Sequence, residues 1–161
     1  MADVVNLHGH EWDVERVVGG VDERLLHVGR RVGGELLGGT MFEVGPGYRG
    51  PYHFHYGNEE LVLVVEGTLT LRMETGEREL RPGDVVLFPR GRDGLHALEN
   101  RGDAVIRFVV FSSMVDPDVS ELPERGMVGV FAGGVPTAGA DTELEAFFPR
   151  EATEGYERAL Y

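Results

Sequence analysis

Cysteine is absent from this chain. That removes disulfides, thiolate nucleophiles and cysteine-based zinc sites, and it leaves the redox compartment open. Lysine is absent too, since all fifteen basic residues are arginine. Schiff-base catalysis and a P-loop lysine are thereby excluded. No apolar run approaches the roughly 18 residues that cross a bilayer. The first residues, Met1 to Asn6, show no basic region leading into an apolar one. No signal peptide is therefore expected, and a cytoplasmic location is the default. Positive charge is scarce as well, and the formal net charge is −13. Nucleic acid is disfavoured because phosphate contacts need clustered cations, and anionic membranes are disfavoured for the same reason. The acidity itself reads as a solubility feature.

What is present is glycine, 24 residues of it in a chain of 161, with short apolar runs between turn residues. That pattern predicts a turn-rich, all-β, antiparallel protein in a single domain. Leu61 to Val65 is continuously apolar, as in a strand covered on both faces. Thr68 to Met73 alternates, which turns Leu69, Leu71 and Met73 inward. Residues 35–46 read as a strand with Met41 and Glu43 on one face and Phe42 and Val44 on the other. Ala104 to Phe111 reads as a further strand and Met127 to Phe131 as a candidate one. Asp116 to Pro123 reads as loop. The chain is expected to divide into a lead-in at 1–34, a barrel core at about 35–115 and a C-terminal arm at 116–161.

Chemistry concentrates in two blocks. The first holds His53, His55 and Glu60, and the second holds His96. A spacing of two puts His53 and His55 on one face of a strand. The short Tyr56-Gly57-Asn58-Glu59 stretch then lets the chain turn and present Glu60 to the same point. His96 would come from a facing strand. Three imidazoles and a carboxylate form a complete ligand set for one divalent transition metal, with Fe, Mn, Ni and Zn all admissible. On an octahedral ion such a set leaves two positions open, which is a catalytic layout.

The first block resembles cupin motif 1 through Gly47, His53, His55, Glu60 and Gly67, with a four-residue gap before the glutamate. Glu59 would fit a three-residue gap, but Gly67 would then fall out of register. The second block is similar to cupin motif 2 through Gly83, Pro89, Gly91, His96 and Asn100. It departs from that pattern at Arg92 to Leu95, four residues where the pattern has two. The resemblance implies a double-stranded β-helix, the jelly-roll barrel of cupins, with a metal inside near one mouth. It also implies a small-molecule substrate or ligand.

Two chemistries follow from that resemblance. One is dioxygenase-type oxygen chemistry, towards which the full three-His, one-Glu set leans. The other is isomerisation or epimerisation of a sugar or sugar phosphate, with the metal as Lewis acid. A non-catalytic small-ligand-binding protein with a structural metal is the third expectation. Glu43 and Glu60 are candidate acid or base groups, and Arg49, Tyr56 and Arg107 are candidate substrate contacts. Tyr52 points away from His53 by parity and reads as structural. The Gly45 to Gly50 run has dinucleotide-loop spacing but leads into an extended segment, not a helix, and is set aside. His8-Gly9-His10 has no partner block and reads as a solvated arm. A homodimer is expected, because the runs at 61–65 and 104–111 are apolar on both faces and the outer face needs cover.

Overall fold

Glycine turns cut the chain into short strands. The computed structural model describes residues 3–133 and 142–152. The expectations for the far C-terminal arm fall partly on residues outside this range. In chain order the strands are β1 (Val14–Val18), β2 (Val21–Leu26), β3 (Gly38–Val44), β4 (Phe54–His55), β5 (Glu60–Glu66), β6 (Leu69–Met73), β7 (Gly76–Leu80), β8 (Val85–Phe88), β9 (His96–Glu99), β10 (Ile106–Ser112), β11 (Asp118–Leu122), β12 (Met127–Ala132) and β13 (Leu144–Pro149). A single helical turn, α1 (Val28–Arg31), precedes β3.

The first layer is a six-stranded sheet in the order β1-β2-β3-β10-β5-β8, antiparallel throughout. The rest of the strands form two smaller sheets, β7-β6-β9 and β13-β12-β11-β4. The segment around the first two histidines stitches these together. Arg49 bridges Glu99 and His53 bridges His96 on one side. Phe54 and His55 pair with Glu121 and Ser120 on the other. The result is an antiparallel jelly-roll of two facing layers.

Alternation decides what lies between the layers. Val62 and Val64 of β5, Val44 of β3 and Phe108 of β10 meet Leu69, Leu71 and Leu98 from the opposite sheets. The inward parity of Val62 and Val64 also turns Glu60 inside. Gly67 ends β5 with φ +80, and a Cβ there would lie 2.6 Å from Ile106 Cγ2, so the turn requires glycine.

The outer face of the six-stranded sheet carries a second cluster. Leu26, Met41 and Val109 are buried beneath Val5, Leu7 and Trp12 of the lead-in, with Val65 and Phe111 packed alongside. Part of the cover expected from a second copy therefore comes from the chain's own N-terminal segment. Leu87 and Val85 at the β8 edge stay 55% exposed. The stretch read as loop forms β11, paired on both sides. Its inward positions are Asp118, Ser120 and Leu122, so apolar alternation never marks it as a strand.

Candidate metal centre

Backbone pairing brings the two blocks together before any side chain acts. His53 N–H donates to His96 O and His96 N–H donates to His53 O, each at 3.0 Å. The irregular Arg92–Gly94 stretch is a 3-10 turn that feeds His96 into β9. Gly94 packs so tightly there that a Cβ would sit 1.9 Å from Pro89 O. The four-residue departure from the motif spacing thus becomes a compact turn that holds His96 in line.

The side chains converge on one oxygen. Glu60 Oε2 lies 3.7 Å from Nε2 of His53, of His55 and of His96. Donor atoms of His53, Glu60 and His96 all fall within 4.8 Å of one another. His55 stands slightly outside that tighter group. Each ring is oriented through its other nitrogen. His53 Nδ1 faces Pro51 O at 3.0 Å, His96 Nδ1 faces Gly94 O at 2.8 Å, and His55 Nδ1 faces Asp118 Oδ2 at 2.6 Å. Because all three partners are acceptors, Nδ1 carries the hydrogen and each Nε2 presents a lone pair to the centre. Phe88 stacks on His96 at 3.6 Å between ring centroids, which shields one side of that ring.

Glu60 Oε2 is buried and accepts no hydrogen bond. A buried carboxylate oxygen without a donor is costly. Three lone pairs and a carboxylate oxygen without a hydrogen-bond donor face one another, so these residues fit a divalent metal. Imidazoles must be neutral to ligate. Burial and the nearby His53 ring push His96 down to about 3. Burial likewise lowers His53, with the His55 ring adding to it and Glu60 opposing. Burial also pulls on His55, but the Asp118 hydrogen bond and the Glu60 charge outweigh it and raise this ring.

A pH dependence follows for the metal-free protein. Between the ordinary histidine value and about 3, the unfolded chain takes up a proton that His96 in the fold refuses. Stability therefore falls as pH drops through that window, and lowered His53 acts in the same sense. Raised His55 acts oppositely, and its contribution is lost as pH rises through its folded value. With two rings against one, the urea midpoint of stripped protein is expected to be lower at about pH 4.5 than at about pH 6.5. A higher midpoint at the acid end would contradict this balance.

The remaining sequence candidates lie elsewhere. Glu43 and Arg107 are cross-strand neighbours on the outer face of the first layer, opposite in parity to the Phe42 and Val44 positions. Arg107 Nε donates to Glu43 Oε2 at 2.6 Å, and Arg24 donates to the other carboxylate oxygen. Arg107 also reaches Gly9 O and His10 Nδ1 and lies over the Trp12 ring. The pair thus braces the lead-in onto the sheet and does not face Glu60. The arm bearing His8 and His10 is docked there, not merely solvated. Arg49 borders a cavity of about 440 Å³ with Tyr52, Arg72, Glu99 and Glu124. Tyr56 is half exposed, and its hydroxyl donates to Glu121 at 2.9 Å. Sequence reasoning missed Asp118, whose only signal is a spatial one.

An antiparallel two-layer jelly-roll that gathers three histidines and a glutamate between its layers fits the cupin fold. Residues 40–112 match the sequence profile of the cupin domain. The auxin-binding protein ABP19b of Prunus persica is 38% identical over 80 residues, which cover 46% of this chain and 37% of that protein. The match thus spans little more than a third of that relative's length. A sugar phosphate isomerase of the cupin superfamily from Silicibacter pomeroyi superposes with a TM-score of 0.72 at 25% identity, covering 81% of this chain and 78% of the other. A protein from Acidithiobacillus ferrooxidans, provisionally named a sugar phosphate isomerase, superposes with a TM-score of 0.71 at 24% identity, over 83% and 80% of the two chains. Among the described residues no helix is long and apolar enough to cross a membrane.

Proposed function

We propose that this protein is a mononuclear metal-dependent enzyme acting on a small molecule, and that its leading chemistry is isomerisation or epimerisation of a sugar or sugar phosphate. The observation that carries the metal reading is the approach of three oriented Nε2 atoms to the orphaned Glu60 Oε2. His53, His55, Glu60 and His96 would hold the ion, one of Fe, Mn, Ni or Zn. Bound there, it would supply Lewis-acid polarisation of a substrate oxygen. The lean towards isomerisation rests on the likeness to the Silicibacter pomeroyi protein.

The chain's own residues support such a site in three ways. His53 and His96 are held neutral, so their lone pairs are available without loss of a proton. Asp118 and the carbonyls of Pro51 and Gly94 hold the rings against rotation. Glu60 is the single anionic donor, and its charge offsets part of a divalent ion's. Phosphate recognition would fall to arginine, since no lysine exists. Arg49, on the segment that leads into His53, is the candidate for that role.

Dioxygenase-type oxygen chemistry is the second reading, and the three-His, one-Glu donor set favours it. One experiment separates the readings. Protein with its metal is incubated in D2O with a panel of sugars and sugar phosphates, and with phenols and diols in an oxygen electrode. Solvent deuterium appearing next to a substrate carbonyl, and vanishing on chelation, is expected. Oxygen uptake without exchange would move the assignment to the second reading. Full metal occupancy with neither would leave a binding protein whose metal is structural. Sedimentation of the same sample tests the expected homodimer, which a single monomer boundary would refute.

A further inference from the structure

We infer that Asp118 is a positioning residue for the metal centre, acting through His55 to keep that ring in the tautomer that can ligate. This rests on the metal reading above and extends it to a strand outside the matched cupin domain, which ends at residue 112. Two of the three rings are oriented by backbone carbonyls close in sequence, two residues away in each case. His55 alone is oriented by a carboxylate, and that carboxylate comes from 63 residues further on.

The Asp118 side chain is built in. The residue is 5% exposed. Its Oδ2 accepts from His55 Nδ1 at 2.6 Å, and its Oδ1 accepts from Gly57 N–H at 2.9 Å. Both oxygens thus meet donors, which only a carboxylate can satisfy on both sides at once. Gly57 leaves the room for this, because a Cβ there would lie 2.8 Å from Asp118 Oδ1. The backbone locks the same strands together, since Tyr56 N–H donates to Val119 O and His55 pairs with Ser120. Strand β11 therefore completes the centre. Without it the His55 ring has no fixed tautomer.

The isosteric change Asp118→Asn tests the tautomer directly. An amide offers one oxygen for two donors. With its oxygen on Gly57 N–H, its NH2 faces His55 Nδ1, which must then accept. The hydrogen moves to Nε2 and blocks the lone pair needed by the metal. Cobalt(II) added to metal-stripped full-length protein is the probe, followed by d–d absorption. Asp118→Asn is expected to bind it about 10- to 100-fold more weakly than the parent. Nitrogen NMR of the stripped variant should show His55 switched to the Nε2–H tautomer while His53 and His96 keep Nδ1–H. Should that variant fail to fold, Gly57→Ala displaces the same carboxylate and should weaken cobalt binding in the same direction.

Cobalt affinity within about twofold of the parent in the folded variants, with His55 still in the Nδ1–H form, would overturn the inference. Failure of the underlying reading looks different. In that case the parent itself takes up no cobalt, or His96→Ala takes it up as well as the parent does.

Discussion

Replacing His96 by alanine should leave the purified protein without its metal. His96 is 2% exposed, and its ring supplies one of the three imidazoles at the centre. Its loss removes a neutral nitrogen donor and leaves Glu60 Oε2 with one partner fewer. Loss of a metal's outer partners alone costs about 10- to 100-fold in affinity, so loss of a direct donor should cost at least about 100-fold. Metal content by mass spectrometry should then fall from about one ion per chain to trace levels. Thermal stability reports the same change independently. A ligand at about a thousand times its dissociation constant stabilises the native state by about 4 kcal/mol, and that shift should vanish in the variant. Wild-type metal content in His96→Ala would remove the basis for the proposed function.

Gly94→Ala should damage the fold and the site together. The added methyl would meet Pro89 O at 1.9 Å and Pro89 C at 3.1 Å, both backbone atoms that cannot rotate away. The 3-10 turn must therefore open. Overpacking of this kind costs about 1–3 kcal/mol and sometimes more, and the backbone obstacle puts this case at the upper end. Opening the turn also moves Gly94 O away from His96 Nδ1, now 2.8 Å apart, and frees the ring to swing. Urea unfolding should show the loss of stability, and metal titration should show weakened binding in whatever folds. Asp93→Ala, at an exposed position of the same turn, should change stability by no more than about 0.5 kcal/mol. Equal stability of the two variants would show that the turn tolerates a side chain at 94.

The contrast between these positions and Asp118 shows what was legible and what was not. His53 and His55 could be placed on one strand face because side-chain direction follows a period of two. The resemblance to cupin motif 1, counted to Gly67, selects Glu60 over Glu59, and the structure turns Glu60 inward beside Val62 and Val64. The departure at Arg92–Leu95 was visible as a length, but not as the compact turn that orients His96. Glu43 is a candidate acid or base group and Arg107 a candidate substrate contact by sequence. They satisfy each other across β3 and β10, on the side of the sheet away from the donors. Which face of a strand looks inward is a property of the packed sheets, and one strand's alternation leaves it open.

Residue types and local spacing determined the shared face of His53 and His55, the antiparallel β class and the turns that separate the strands, because each depends on backbone period over a few residues. Tertiary structure alone decided that β11 is a strand, that its Asp118 closes on His55, and that the lead-in covers the outer sheet face. The physical reason is the same in each case. These features rest on hydrogen bonds and packing between segments tens of residues apart, whose inward positions include polar groups, so no local hydrophobic pattern announces them.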